Sequence, residues 1–264
     1  MDPQASGDRR NGMQIVSRVA RLLRALGDAP VGLTLSELAA ATDMPKSTVH
    51  RLIGALEIED LVTPASAGRI RLGRGIASLG AATQDQLRDQ IRPHIVRLHQ
   101  ELHETVGVGV LDGSAVRLID HISAPHRLLA VSTTGAVLPL HCTADGKALL
   151  AALDDEQVEA LLPAQLTALT EHTITTRDAL LDELRVVRET GVAYDLEEFT
   201  PGTSGVSAVV RDRYGAVAAI SVPVPTQRFV GKESQLVRAV TEACEACSRS
   251  LSLTSAPGLA PGAC

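Results

Sequence analysis

Aromatic residues and cysteine are scarce in this sequence, and it lacks a long apolar run. Of 264 residues, none is tryptophan and only two each are tyrosine and phenylalanine, so intrinsic fluorescence is a poor probe of ligand binding. Four cysteines in a chain of this length are too few for a secreted disulfide framework. No run of about 18 apolar residues occurs, and the polar start over 1–12 lacks the apolar segment of a secretory signal. We therefore expect a cytoplasmic globular protein with no membrane partner.

The length suits two domains, and the apolar content suits packed cores. Apolar residues make up 45% of the chain, and its mean hydropathy is +0.12. The net charge is −6, but it is unevenly distributed. Residues 1–80 carry ten Lys and Arg against eight Asp and Glu, whereas the remainder carries fifteen against twenty-three. The N-terminal third is therefore the part that can face phosphate groups.

Residues 33–62 have the pattern of a helix-turn-helix. Thr34 followed by Glu37 is a capping box that opens a short helix, and a tight turn is predicted over 42–44. Pro45 suits the first turn of the next helix, where its missing N–H costs nothing. In that helix the apolar positions recur at helical spacing and predict the buried face: Val49, Leu52, Ile53 and Leu56. Two short helices joined by a three-residue turn define this motif.

The opposite side of the second helix has the side chains of a DNA-recognition helix. The predicted DNA-contacting residues there are Lys46, Ser47, Thr48, His50 and Arg51. Short polar side chains let a helix lie deep in the major groove, and Arg51 can bond bidentately to guanine. Gly54 has no side chain and would let the DNA backbone approach closely. Each polar residue taken alone fits a solvated helix face equally well, whereas their grouping favours DNA contact.

A basic β-hairpin is predicted directly after this motif. The segments 61–63 and 69–72 predict two strands around a turn, with Arg69 and Arg71 alternating with apolar neighbours. Such a hairpin is a wing. Arg69 and Arg71 would hold the flanking DNA backbone or the minor groove.

Beyond residue 105 the pattern changes to short apolar strands and helices. Strands are predicted over 106–112, 115–122, 127–133, 205–212 and 216–222, and helices over 144–152, 155–162, 177–190 and 232–252. Antiparallel strands flanked by helices predict an α+β sensor domain. The predicted organisation is a disordered arm (1–12), a winged helix-turn-helix domain (13–75), a linker helix (76–104), an effector domain (105–253) and a disordered tail (254–264).

No metal, cofactor or catalytic site is predicted. The CxxC at 244–247 falls on an apolar helical stripe, which favours core packing of both cysteines. His99 and His103 have i, i+4 spacing, but no third metal ligand accompanies them. His141 and Cys142 are adjacent on an extended segment and point to opposite faces, so they cannot form a direct nucleophile–base pair.

Four segments in this order resemble the IclR family of transcriptional regulators. They are LTLSELAAATDMPKSTVHRLIGALEIEDLV (33–62), LPLHCTADGKALLA (138–151), GVAYDLEEFTPG (191–202) and AAISVP (218–223), and the resemblance covers about residues 13–252. It implies a winged helix-turn-helix on a GAF-like effector domain. It also implies a dimer, or a dimer of dimers, on a palindromic operator in double-stranded DNA. Members of this family are mostly repressors, with some activators, that respond to small organic metabolites, often organic acids.

The resemblance also implies where the effector binds. The matching positions are Ala144, Asp145, Asp195, Gly205 and Ser221. Asp195 fits a structural cap or ion pair equally well, and Ser221 fits an ordinary strand residue. Many members have cysteine at the position of Gly205, and members that bind small oxo acids often have serine at that of Pro223. Both differences remove polar atoms and predict a larger, more apolar acid, aromatic acids included.

Two functions follow from these patterns. The first is a ligand-responsive DNA-binding regulator, a repressor of a metabolic or catabolic operon. The second is a metabolite sensor or enzyme whose helix-turn-helix only contacts proteins. The sequence lacks a nucleophile–base set, a phosphate loop and a metal cluster, which favours the first. Salt-dependent binding to duplex DNA that is lost on Arg51→Ala distinguishes the two.

Overall fold

The computed structural model describes residues 3–29, 31–125 and 133–254. The chain divides into two units, Met1–Asp85 and Gln86–Cys264. The helix α4 spans Arg74–Leu102 and contains the boundary between them. A helix is therefore present where the linker helix at 76–104 is predicted.

The first unit consists of helices around a small antiparallel sheet. Its elements are α1 (Pro3–Gly27), β1 (Leu33–Thr34), α2 (Leu35–Thr42), α3 (Lys46–Ile58), β2 (Val62–Pro64), β3 (Arg69–Leu72) and the start of α4 (Arg74–Leu102). The strands lie in the order β1-β3-β2. The core contains the predicted buried face of α3 together with residues of α1 and α2: Leu22, Leu26, Leu38, Val49, Leu52, Ile53 and Leu56. The predicted orientation of α3 is confirmed.

Local capping and turn chemistry determine the helix-turn-helix. Thr34 Oγ1 accepts the backbone N–H of Glu37, and the Glu37 carboxylate accepts that of Thr34, so the predicted capping box is confirmed. After α2 the chain turns at Asp43, which adopts the left-handed conformation with φ of 51°. Pro45 stands immediately before α3 as its N-cap, one residue earlier than predicted.

Two features of this unit differ from the sequence-based expectation. Helix α1 begins at Pro3, although a disordered arm is predicted over 1–12. Proline is well tolerated at the first helical position, and no second proline interrupts the rest of α1. Strand β1 adds a third strand to the predicted wing by pairing Leu33 with Ile70. A strand of only two residues, such as β1, is too short to show the alternation of apolar and polar residues from which strands are predicted.

The second unit is an antiparallel sheet with helices on both faces. Its strands are β4 (Val106–Asp112), β5 (Ala115–Ile122), β6 (Val137–Pro139), β7 (Ala193–Leu196), β8 (Thr203–Asp212) and β9 (Gly215–Pro225), in the order β6-β5-β4-β9-β8-β7. Its helices are the end of α4, α5 (Ala144–Ala151), α6 (Asp155–Leu161), α7 (Arg177–Thr190), α8 (Thr226–Phe229) and α9 (Glu233–Thr254). The predicted α+β class is confirmed.

Each face of this sheet carries its own apolar core. On one face α4 and α9 pack against β4, β8 and β9, and Ile95 and Ile220 are fully buried. On the other face α5, α6 and α7 form a second core around Leu150 and Leu184. Both cysteines of the CxxC at 244–247 lie in the first core, as predicted. The helices of the second core hold the loops next to the cavity described below.

Some predictions lie at or beyond the limits of the described residues. The strand predicted over 127–133 lies outside them except for Thr133, and so does the tail predicted to be disordered beyond Thr254. Strands β6 and β7 were not predicted. Within the described ranges, no helix has both the length and the apolarity needed to cross a bilayer, and no three potential metal ligands come together.

Candidate functional site

The polar face of α3 lies at the surface of the first unit. Lys46, Ser47, His50 and Arg51 are exposed and Thr48 is half-buried, while the apolar positions between them are buried. This separation follows from helical periodicity, because residues three and four apart share a face. In the described part of the structure Arg51 makes no ion pair. Its guanidinium is therefore available to bond to a base edge.

The two wing arginines have different surroundings. Arg69 donates to the carbonyl oxygen of Gly32 over 2.7 Å and forms an ion pair of 3.2 Å with Glu37. Hydrogen bonds from Thr34, together with this cation, hold the pKa of Glu37 below its usual range. Arg69 therefore joins β3 to the start of α2. Arg71 is exposed and has no ion pair within the described residues.

Gly54 allows folding stability and the predicted DNA contact of α3 to be tested separately. It lies inside α3, it is exposed, and a Cβ added there meets nothing within 4 Å. We expect Gly54→Ala to stabilise the first unit by about 0.5–1 kcal/mol, because alanine loses less backbone entropy in a helix. The same methyl group projects from the polar face and is expected to weaken operator binding. Chemical denaturation and DNA titration measure the two effects.

Gly80 provides the matched control for Gly54. It lies in α4, and its added Cβ likewise meets nothing within 4 Å. Gly80→Ala is expected to give a similar stabilisation with unchanged DNA affinity. Equal DNA affinities for both variants would show that α3 does not approach DNA at Gly54.

A cavity of about 500 Å³ opens in the second unit. Its lining comes from β5, β6 and the segment before it, the start of α5, β7 and the turn after it, β8 and β9: Leu118, Thr133, Ala136, Leu138, Thr143, Ala144, Asp145, Asp195, Phe199, Thr200, Thr203, Gly205, Ser221 and Pro223. All five residues of the predicted effector site therefore line one cavity. The sheet order brings them together, because β7, β8 and β9 are neighbours and α5 packs on their face.

Asp145 is held by two serine hydroxyls. Ser207 Oγ donates to its Oδ1 and Ser221 Oγ donates to its Oδ2, each over 2.9 Å. Burial raises the pKa of Asp145 to about 6, although both hydroxyl bonds favour the ionised form. Ser221 is thus more than an ordinary strand residue. Ser207 was not predicted. It is the cross-strand partner of Ser221, so both side chains lie on the same face of the sheet, but the sequence does not reveal this pairing.

Asp195 has the capping role that the sequence left open. Its Oδ1 accepts the backbone N–H groups of Glu198 at 2.8 Å and Phe199 at 3.3 Å, which closes the turn after β7. The carboxyl group also lines the cavity. Burial is the main effect and raises the pKa of Asp195 to about 7. The nearby Glu198 carboxylate also raises this pKa, whereas the two backbone hydrogen bonds and the Lys147 cation lower it.

A buried ion pair supports this side of the cavity. Lys147 is 1% exposed, and its Nζ donates to Glu198 over 2.5 Å and to Glu183 over 3.1 Å. The second oxygen of Glu198, Oε2, is buried without a hydrogen-bond partner in the described structure. These residues were not predicted. No local pattern reveals them, since Lys147 and Glu198 are far apart in sequence.

Gly205 and Pro223 are directly opposite each other on β8 and β9. A Cβ at Gly205 would lie 3.1 Å from both Pro223 Cα and the Val222 carbonyl oxygen. The wall at this point therefore consists of backbone and a proline ring. Neither residue offers a polar side chain to the cavity, as the sequence predicts.

His141 and Cys142 do not bond to each other. His141 Nε2 lies 3.0 Å from the carbonyl oxygen of Thr167. Cys142 is buried, and burial raises the pKa of its thiol to about 12, with smaller effects of Asp195 and Glu198 in the same direction. The thiol is therefore protonated at neutral pH and is a poor nucleophile.

A winged helix-turn-helix followed in the same chain by a cavity-bearing α+β domain is typical of the class of one-component transcriptional regulators. The chain matches the IclR helix-turn-helix domain over residues 15–65 and the bacterial transcriptional regulator IclR C-terminal domain over 80–253. This chain belongs to the IclR family and is a DNA-binding transcriptional regulator.

Similar proteins and a similar crystal structure support the assignment of this chain to the IclR family. The HTH-type transcriptional regulator Rv1719 of Mycobacterium tuberculosis is 43% identical, over 91% of this chain and 93% of that protein. The glycerol operon regulatory protein of Streptomyces griseus is 33% identical, over 90% and 96%. The crystal structure of the Thermotoga maritima IclR superposes with a TM-score of 0.61 at 26% identity, covering 90% of this chain and 99% of that one.

Proposed function

We propose that this chain is a repressor of a metabolic or catabolic operon that binds a palindromic operator as a homo-oligomer. The observation that carries the proposal is the exposed polar face of α3, with Arg51 unpaired in the described structure and Arg71 on the adjacent wing. An isolated recognition helix reads only a few base pairs. A two-fold dimer places two such helices about 34 Å apart and reads two half-sites.

The proposed DNA contacts are divided by their chemistry. Arg51 bonds to a base edge and supplies specificity, while Ser47, Thr48 and His50 contact bases or phosphates beside it. Lys46, at the start of α3, and Arg71 contact the phosphate backbone. Because Arg69 already bonds to Glu37 and Gly32, we propose that it orients the wing and contacts DNA only secondarily.

The cavity of the second unit is the proposed effector site. Ala144, Asp145, Asp195, Gly205 and Ser221 line it, and its volume of about 500 Å³ suits a small organic molecule. A small organic acid is the class that the resemblance implies. The absence of polar side chains at Gly205 and Pro223 supports an acid with an apolar body over a short oxo acid.

Effector binding changes DNA affinity by linkage. An effector that binds one arrangement of the oligomer more tightly changes operator affinity by a coupling free energy of about 1–3 kcal/mol. Helix α4 is the proposed carrier, because its residues belong to both units.

In vitro selection of genomic duplex fragments tests the proposed function. Purified protein is incubated with fragments at 50 and 200 mM salt, with excess unrelated duplex as competitor. We expect enrichment of a site with two-fold symmetry near a promoter, retained at the higher salt. Weak binding of all fragments that vanishes at higher salt would be non-specific. That result would favour a metabolite sensor that does not read DNA.

A further inference from the structure

Glu37 and Arg69 form an ion pair at the surface of the first unit, between the first turn of α2 and strand β3 of the wing. Arg69 Nη1 lies 3.2 Å from Glu37 Oε2, and Nη2 lies 3.4 Å from Oε1, so two guanidinium nitrogens face two carboxylate oxygens. The Arg69 side chain is 33% exposed and that of Glu37 is 46% exposed. Water and ions can therefore reach the pair.

Arg69 lies on the same face of β3 as Arg71, for which we propose a contact with the DNA backbone. Alternate residues of a strand share a face, and Ile70 between them packs into the core of the first unit. Arg71 is exposed and has no ion pair within the described residues. The wing thus carries two arginines on one face, and the charge of Arg69 is already balanced by an acid.

The carboxylate of Glu37 binds Arg69 in the way that a phosphate group would. Carboxylate and phosphate both present pairs of oxygens to the N–H groups of a guanidinium. While Glu37 is bound, the pair is electrically neutral, and Arg69 adds no net charge to the attraction between the wing and DNA. Exposed ion pairs contribute little to folding stability, so a phosphate can displace Glu37 without loss of the fold.

Glu37 cannot turn away from Arg69 without breaking the helix cap. Its Oε2 accepts the backbone N–H of Thr34 over 2.7 Å, and this bond belongs to the capping box of α2. The cap needs an acceptor oxygen at this position rather than a charge, and glutamine serves there as glutamate does. The negative charge of Glu37 is therefore additional to what the start of α2 requires.

We propose that Glu37 competes with the DNA backbone for Arg69 and thereby limits the affinity of the wing for DNA. This inference rests on the proposed contact between the wing and the DNA backbone. In the free protein the carboxylate holds the guanidinium, and on DNA a phosphate has to displace an acid that stays nearby. Backbone contacts carry no sequence information, so the competition lowers affinity for operator and unrelated DNA alike. Discrimination between sequences is left to α3.

A double-variant cycle on Glu37 and Arg69 tests the proposal. The wild type, Glu37→Gln, Arg69→Gln and the double variant are titrated with a labelled unrelated duplex and with the selected operator, by fluorescence anisotropy at 50 to 200 mM salt. We expect Glu37→Gln to tighten binding to both duplexes about fivefold at the lowest salt. It should also steepen the slope of log affinity against log salt by about 0.9, because one more phosphate is contacted.

The Arg69→Gln background separates competition from simple repulsion. Without Arg69, Glu37→Gln only removes a negative charge, so the gain in affinity should be clearly smaller and the slope unchanged. Glu59→Gln is the matched control, because it removes an exposed acid of the same unit that pairs with no cation among the described residues. Its effect should be small and the same whether or not Arg69 is present. Urea denaturation should show that Glu37→Gln remains folded, since glutamine retains the cap.

Three results would contradict the proposal. Equal gains from Glu37→Gln with and without Arg69 would show that Glu37 acts through its charge alone. Unchanged or weaker binding by folded Glu37→Gln would show that the ion pair supports the wing instead of competing with DNA. Absence of duplex binding in all four proteins would overturn the wing contact itself. The cycle on unrelated duplex needs no operator, so a failed operator selection leaves its result intact, and a negative cycle leaves a selected operator intact.

Discussion

Arg51→Ala is expected to weaken binding to the selected operator by about 1–3 kcal/mol, which is roughly fivefold to more than a hundredfold. The effect is large because Arg51 is exposed on the polar face of α3 and free of ion pairs in the described structure, so a bidentate bond to guanine is its main interaction. Folding should change little, because the side chain contributes nothing to the buried face. The loss should be confined to operators that keep the guanine, and non-specific DNA should be affected much less.

Two control variants separate base contact from general charge. Arg71→Ala removes a wing cation and should weaken all duplexes alike, reducing the slope of log affinity against log salt by about 1. Arg249→Ala removes an exposed arginine of α9 that pairs with Glu245, and should change neither affinity nor slope. Fluorescence anisotropy with labelled duplexes at several salt concentrations measures all three. If Arg51→Ala behaved like Arg71→Ala, Arg51 would be a phosphate contact.

The first unit could be predicted almost completely from sequence because its determinants are local. A capping box, a turn and a helical apolar stripe each involve residues within one or two turns of one another. The stripe of Val49 and Leu52 fixed which side of α3 is buried, and hence which side is exposed. At Arg69 the sequence was less informative: alternation predicts that its side chain lies on the other face of β3 from that of Ile70, but its ion pair with Glu37 joins two elements and has no local signal.

The cavity could not be predicted from local pattern. Its five expected residues came from family resemblance, and only the strand order places Asp145 beside strands β7 to β9. Ser207, Lys147 and Glu198 were missed for the same reason, since each acts through a partner distant in sequence. Strands β6 and β7 were missed because three or four residues carry too little alternation. The composition gave no sign that two acids would share one lining.

Lys147→Ala is expected to destabilise the second unit by about 3–5 kcal/mol, because removing one partner of a buried ion pair leaves the other charge uncompensated. Glu198 is only 8% exposed and already has one oxygen without a hydrogen bond. Glu183 is 34% exposed and can turn to water, so most of the loss arises at Glu198. Urea denaturation measures the free energy of unfolding. Hydrogen exchange should show weakened protection in β8 and β9 while α3 retains its protection.

The double variant Lys147→Met with Glu198→Leu tests whether the unit needs the ion pair itself or only the absence of an unpaired buried charge. Replacing both members of a buried ion pair by apolar residues of similar volume is often neutral, so most of the lost stability should return. The same double variant removes the negative charge next to Asp195 along with the cation. Folding should then recover, while effector binding still differs from the wild type. An equally large loss in the double variant, in which Met retains the aliphatic packing of Lys147, would instead mean that the intact ion pair itself stabilises the unit.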